Sequence, residues 1–82
     1  NFAGVAMKIR FLGPIQRPSD EIVATVSTGF AGGTVRTLLH ELGFPAQQVS
    51  FLSVIREAQR LTPDQELGKD DEITVMLLVG GG

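Results

Sequence analysis

Val35, Leu38, Leu39 and Leu42 recur at i, i+3, i+4 and i+7, which draws one apolar stripe down a helix. Thr34 stands before the stripe as a side-chain cap, Gly43 follows it as the C′ stop, and Pro45 prevents continuation. The helix so bounded is only about nine residues long, and a free helix of that length is marginal in water. It must therefore be held by packing its stripe against something broad and apolar. A sheet is the economical answer.

The remaining patterned segments read as strands. Met7-Lys8-Ile9-Arg10-Phe11-Leu12 alternates apolar and basic residues, the period of a half-buried strand. Gly13-Pro14 breaks it, and Arg17-Pro18-Ser19-Asp20 continues a polar turn. Glu21–Thr28, rich in Ile, Val and Thr, predicts a second strand that forms a hairpin with the first. Gly29-Phe30-Ala31-Gly32-Gly33 predicts a flexible connection into the helix. Phe51–Arg56 reads as a third strand, Gln59–Leu61 as a short fourth, and Glu72–Val79 as the last. Thr62-Pro63-Asp64-Gln65-Glu66 and Gly68-Lys69-Asp70-Asp71 are the turns between them. The expected order is β-β-α-β-β-β, an α+β layout with one helix across one face of one sheet. The first and last strands, both long and apolar on one face, are expected side by side at the sheet centre.

Composition narrows the function. Eighty-two residues make one small domain, and with no Cys there is no disulfide, thiolate metal site or thiol nucleophile. The net charge of −2 argues against a general nucleic-acid binder. No apolar stretch approaches the roughly 20 residues of a membrane span, so no membrane partner is expected. Residues 1–6 lack an initiator Met and any signal-peptide pattern, and read as a tag scar or short extension. Residues 7–79 form the domain.

Gly80-Gly81-Gly82 follows the last apolar strand directly. Glycines lose the most freedom on ordering, so a run of them behind a strand predicts a flexible, side-chain-free tether at 80–82. Extended, it carries a carboxylate about 10 Å from the strand, into channels too narrow for a Cβ. The expectation is that the reactive group of this chain is the Gly82 carboxylate itself.

Together these segments resemble the ubiquitin-like β-grasp sulfur carriers, the ThiS/MoaD family of thiamine and molybdopterin biosynthesis. The likeness runs from Met7 to Gly82. It is carried by Met7-Lys8-Ile9-Arg10-Phe11, by the Thr34-Val35…Leu38-Leu39…Leu42-Gly43 helix, by Leu67-Gly68-Lys69-Asp70-Asp71-Glu72-Ile73, and by Val79-Gly80-Gly81-Gly82. It departs at Asp70 and Ala58, where the family often has Gly, and in Leu77-Leu78, where molybdopterin-type tails often have a proline pair. The opening strand looks more like the molybdopterin carriers and the triple glycine more like some thiamine carriers, so both pathways stay open.

The resemblance implies a ubiquitin-like β-grasp: a mixed sheet of four to five strands with one helix packed across one face. It also implies a cytoplasmic protein that is a co-substrate, not an enzyme, and binds no cofactor of its own. A ubiquitin-activating-type adenylating enzyme would use ATP to adenylate Gly82, and a persulfide sulfur would then give a thiocarboxylate. A sulfur-accepting synthase, either the molybdopterin synthase large subunit or thiazole synthase, would consume it. Gly80 and Gly81 would thread the tail. Two alternatives share the fold: a protein modifier conjugated through Gly82, and a non-reactive binding module.

Side-chain parity adds a docking expectation. With Ile73, Val75 and Leu77 in the core, Thr74, Met76 and Leu78 face outward. Phe51, Ser53 and Ile55 join them if Leu52 and Val54 are core, with Lys8 and Arg10 as a polar rim. Phe51, Met76, Leu78, Lys8 and Arg10 are thus the expected docking residues. Gly29…Gly32-Gly33-Thr34 lacks the lysine and spacing of a phosphate loop and reads as a plain connection. The single His40 lies off the helix stripe, so no metal site or nucleophile–base pair is expected. Asp64, Glu66, Asp70, Asp71 and Glu72 are too irregular for a calcium loop and read as a solvated turn.

Overall fold

In the computed structural model, which describes residues 6–77, the alternation of the first strand is realised as β1 (Lys8–Leu12). The second strand expected over Glu21–Thr28 is not formed. That segment is helix α1 (Asp20–Gly29). The Ser19 hydroxyl accepts from the Ile22 N–H at 3.2 Å, and Asp20 and Glu21 place negative charge at the positive end of the helix. Thr25 and Thr28 donate their hydroxyls to the Glu21 and Ala24 carbonyls, which quiets two residues that otherwise favour strands. Val26 and Phe30 then enter the core. Burial of this pair outweighs the β preference of the run.

Strand β2 (Gly33–Thr34) leads into helix α2 (Val35–Glu41), whose ends are those expected. The Thr34 hydroxyl accepts from the Thr37 N–H at 3.1 Å. At the other end Gly43 takes φ +96° while its N–H donates to the His40 carbonyl and that of Phe44 to the Leu39 carbonyl. These two bonds are a Schellman closure, with Phe44 and Leu39 both buried beside it. All four stripe residues are buried, Leu38 completely. The expected loose connection before α2 is more ordered: β2 pairs antiparallel with β5 (Glu66–Leu67). The Val35 and Arg36 N–H groups donate to the Gln65 and Pro63 carbonyls, which occupies the donors a phosphate would need.

A 3-10 turn (Ala46–Phe51) precedes β3 (Leu52–Arg56), β4 (Gln59–Leu61) and, after β5, β6 (Glu72–Leu77). The main sheet runs in the order β1-β6-β3-β4, with β1 parallel to β6 and the other pairs antiparallel. β1 and β6 are neighbours as expected. Without a hairpin partner, however, β1 lies at the edge and β6 inside. Cross-strand register sets Phe11, Val75, Val54 and Leu61 in one row, which with Ile73 and the helix residues makes a single core. The result, among the described residues, is a small α+β molecule: a mixed four-stranded sheet, a separate two-stranded pair and two α-helices in place of the one expected. Among the same residues no helix is long and apolar enough to cross a membrane.

Candidate functional site

The other face of the sheet is built by the opposite parity. Arg10, Thr74, Ile55 and Arg60 share one register row, and Leu12, Met76 and Ser53 share the next. Side chains of paired residues stand on the same face, so these rows lie opposite the core. Lys8 is opposite Glu72 at the far end of β1.

The second row lies where β6 ends. Leu12 there is 53% exposed, Met76 half-buried and Ser53 buried. Leu77 pairs with Leu52, and Phe51, the residue before β3, is 57% exposed. Two large apolar side chains thus stand in water at the end of the sheet from which the chain continues to Leu78. Leu12 on β1 and Phe51 just before β3 are separated by β6, at the same end of the sheet.

Of the expected docking residues, Met76 lies on the open face, as parity requires, with Thr74 beside it. Phe51 is exposed but belongs to the 3-10 turn and not to β3. Ser53, expected outward with it, is 5% exposed, being small and paired with Met76. Lys8 and Arg10 are exposed on the open face. Arg10 meets Glu72 at 3.1 Å with both side chains more than half exposed, a pair worth little to stability. Leu78, Gly80, Gly81 and Gly82 lie outside the described residues.

Leu12 is not among the expected docking residues, though a signal for it is present. It places a leucine in the same phase as Lys8 and Arg10, and so breaks the apolar–basic alternation of β1. An apolar residue in a polar phase leaves apolar surface open to water.

Behind the face, Arg56 on β3 donates to the Asp71 carboxylate at 2.8 Å and to the Glu66 carbonyl at 3.2 Å. The Gly68 N–H donates to the same carboxylate at 2.8 Å. That backbone N–H, with help from Arg56 and against the cost of burial, holds the Asp71 carboxyl below its ordinary value. The node ties the Gly68–Asp71 turn to β3 and fixes where β6 starts.

His40 is exposed on α2 beside Arg36 and Phe44 at a shallow apolar hollow of about 290 Å³. Among the described residues no group of three or more His, Asp or Glu side chains is placed to hold a metal ion. No protein-family model, curated protein or solved structure matches the chain.

Proposed function

We propose that this protein is a ubiquitin-like sulfur carrier that works through Gly82, whether that residue is the encoded end or is exposed by trimming. The observation that carries the proposal is the Leu12–Met76 row, with Phe51 exposed at the same end of the sheet, where the chain continues toward Gly80-Gly81-Gly82. An apolar surface at the root of a glycine tether is what an enzyme needs to grip a carrier while the tether reaches its active centre. The α+β framework, with first and last strands parallel and adjacent, is compatible with the β-grasp that this role implies.

The chemistry follows from the carboxylate. A free carboxylate is a poor electrophile. Attack of its oxygen on the α-phosphorus of ATP, with loss of pyrophosphate, gives an acyl-adenylate with a good leaving group. The terminal sulfur of a persulfide on the activating enzyme displaces AMP, and a second thiol cleaves the resulting acyl disulfide to leave a thiocarboxylate. The receiving synthase, of the molybdopterin or the thiazole type, takes that sulfur and returns the carboxylate. The carrier supplies no acid, base or metal to these steps. It supplies reach and a docking face.

The test is mass spectrometry of the carrier after incubation with an adenylating enzyme, ATP and a persulfide donor. Replacement of one Gly82 oxygen by sulfur is expected. Conjugates to lysines of other proteins would instead identify a modifier. An unchanged carrier beside an enzyme that activates its own carrier would leave only a binding module.

A further inference from the structure

Among the described residues the outer edge of β1 is unfilled. In a parallel ladder alternate residues direct both backbone groups at the neighbouring strand. Lys8, Arg10 and Leu12 face β6, as the 3.0 Å bond from the Lys8 N–H to the Asp71 carbonyl shows. Ile9 and Phe11 therefore direct their N–H and C=O groups away from the sheet. Met7, next in that series, is already engaged: its N–H donates to the Ser27 carbonyl at 3.0 Å, and its own carbonyl accepts from the Ser27 hydroxyl. Among the described residues no hydrogen bond reaches the backbone of Ile9 or Phe11 from the outer side.

Burial points the same way. Ile9 and Phe11 stand on the core face in register with Ile73 and Val75, which are 1% and 0% exposed, yet both are only half-buried. The core thins toward this edge, where the Arg17 guanidinium lies over the Phe11 ring 5.3 Å from its centroid. On the opposite face the same edge presents Lys8 and Arg10, both exposed, with Glu72 of the inner strand β6 at 3.1 Å from Arg10.

The geometry points to β1 as a strand-addition site for an extended segment of a partner protein in which apolar and acidic residues alternate. Its backbone would satisfy Ile9 and Phe11, its apolar residues would pack on Ile9 and beside the Phe11 ring that Arg17 overlies, and its carboxylates would lie beside Lys8 and Arg10. A second copy of this chain is a poor occupant. Antiparallel self-pairing centred on Arg10 sets Arg10 against Arg10, and centring on Ile9 sets Lys8 against Arg10, both repulsive. The same two cations discourage indiscriminate pairing at an open edge. This inference stands apart from the Gly82 chemistry.

The probe is a short capped peptide alternating valine and glutamate, added to the full chain and followed by amide hydrogen exchange and NMR shifts. Slowed exchange of the Ile9 and Phe11 amides is expected. Binding about tenfold weaker is expected for the lysine counterpart, since both cross-strand charge pairs become repulsive. N-methylation of the peptide groups that face β1 removes the protection without altering this protein. Unchanged exchange at Ile9 and Phe11, equal binding of the glutamate and lysine peptides, or protection that survives N-methylation would each overturn the proposal. A concentration-dependent dimer formed through β1 without peptide would overturn the choice of partner.

Discussion

Arg56 and Asp71 meet at 2.8 Å with side chains only 27% and 26% exposed, and this pair joins the inner strand β3 to the turn that launches β6. The carboxylate also accepts from the Gly68 N–H, so removing it strands two donors at once. Its position makes it a control on how the last strand is set.

Asp71→Asn is expected to cost about 1 kcal/mol at neutral pH, read from urea unfolding. The Asp71 carboxyl is held below its ordinary value of 3.8 when folded, so its contribution is fully present above that value. It is lost as the pH falls through the lower, folded-state value. Wild type minus variant, measured over a pH series, should shrink only on this acid side. A difference that stays constant down to the acid transition would refute the assignment.

The β3–β4 hairpin turns on Glu57 and Ala58 with φ of 54° and 66°, both in the left-handed region. A two-residue turn of this hand favours Asn-Gly. Ala58→Gly should raise stability by about 1 kcal/mol through relief of this strain, seen as a higher Tm. A lower Tm would show the turn to be unstrained.

Gly43 is the reverse case. A methyl group on its Cα would meet no atom within 4 Å, yet its φ of +96° disfavours any side chain. Gly43→Ala should cost about 1 kcal/mol from backbone strain alone, measured by urea unfolding. Asn at the same position should restore part of the loss.

The Ser19 hydroxyl caps a helix and not a strand. Ser19→Ala should lower stability by about 1 kcal/mol and reduce the far-ultraviolet helical signal before global unfolding. No change in either would argue against α1.

Phe51→Asp and Met76→Asp test the proposed docking face. Phe51 is 57% exposed, so its replacement should leave unfolding within about 0.5 kcal/mol of wild type. Adenylation by the activating enzyme should slow by about tenfold or more if Phe51 anchors the contact. Unchanged kinetics for both variants would remove the face from the proposal.

Much of this architecture is legible in the sequence. Thr34 and Gly43 bound α2 as written, because caps act through bonds made within a few residues. The parity of Ile73, Val75 and Met76 holds, because the pleat imposes a period of two on any strand. Leu12 is hard to read as exposed apolar surface, since one residue out of phase weighs little until its neighbours are known. The tail at Gly80-Gly81-Gly82 is a feature of the sequence alone.

Local chemistry thus determined the ends of α2 and the parity of β6. Tertiary structure alone decided that Asp20–Gly29 is helical, that β1 lies at an edge, and that Leu12 sits beside Met76. A β-branched run such as Ile22-Val23 lies close in free energy as helix or strand, and burial of Val26 and Phe30 against distant residues tips it. Strand order likewise depends on which long-range contacts bury the most apolar surface, and no short stretch of sequence contains that sum.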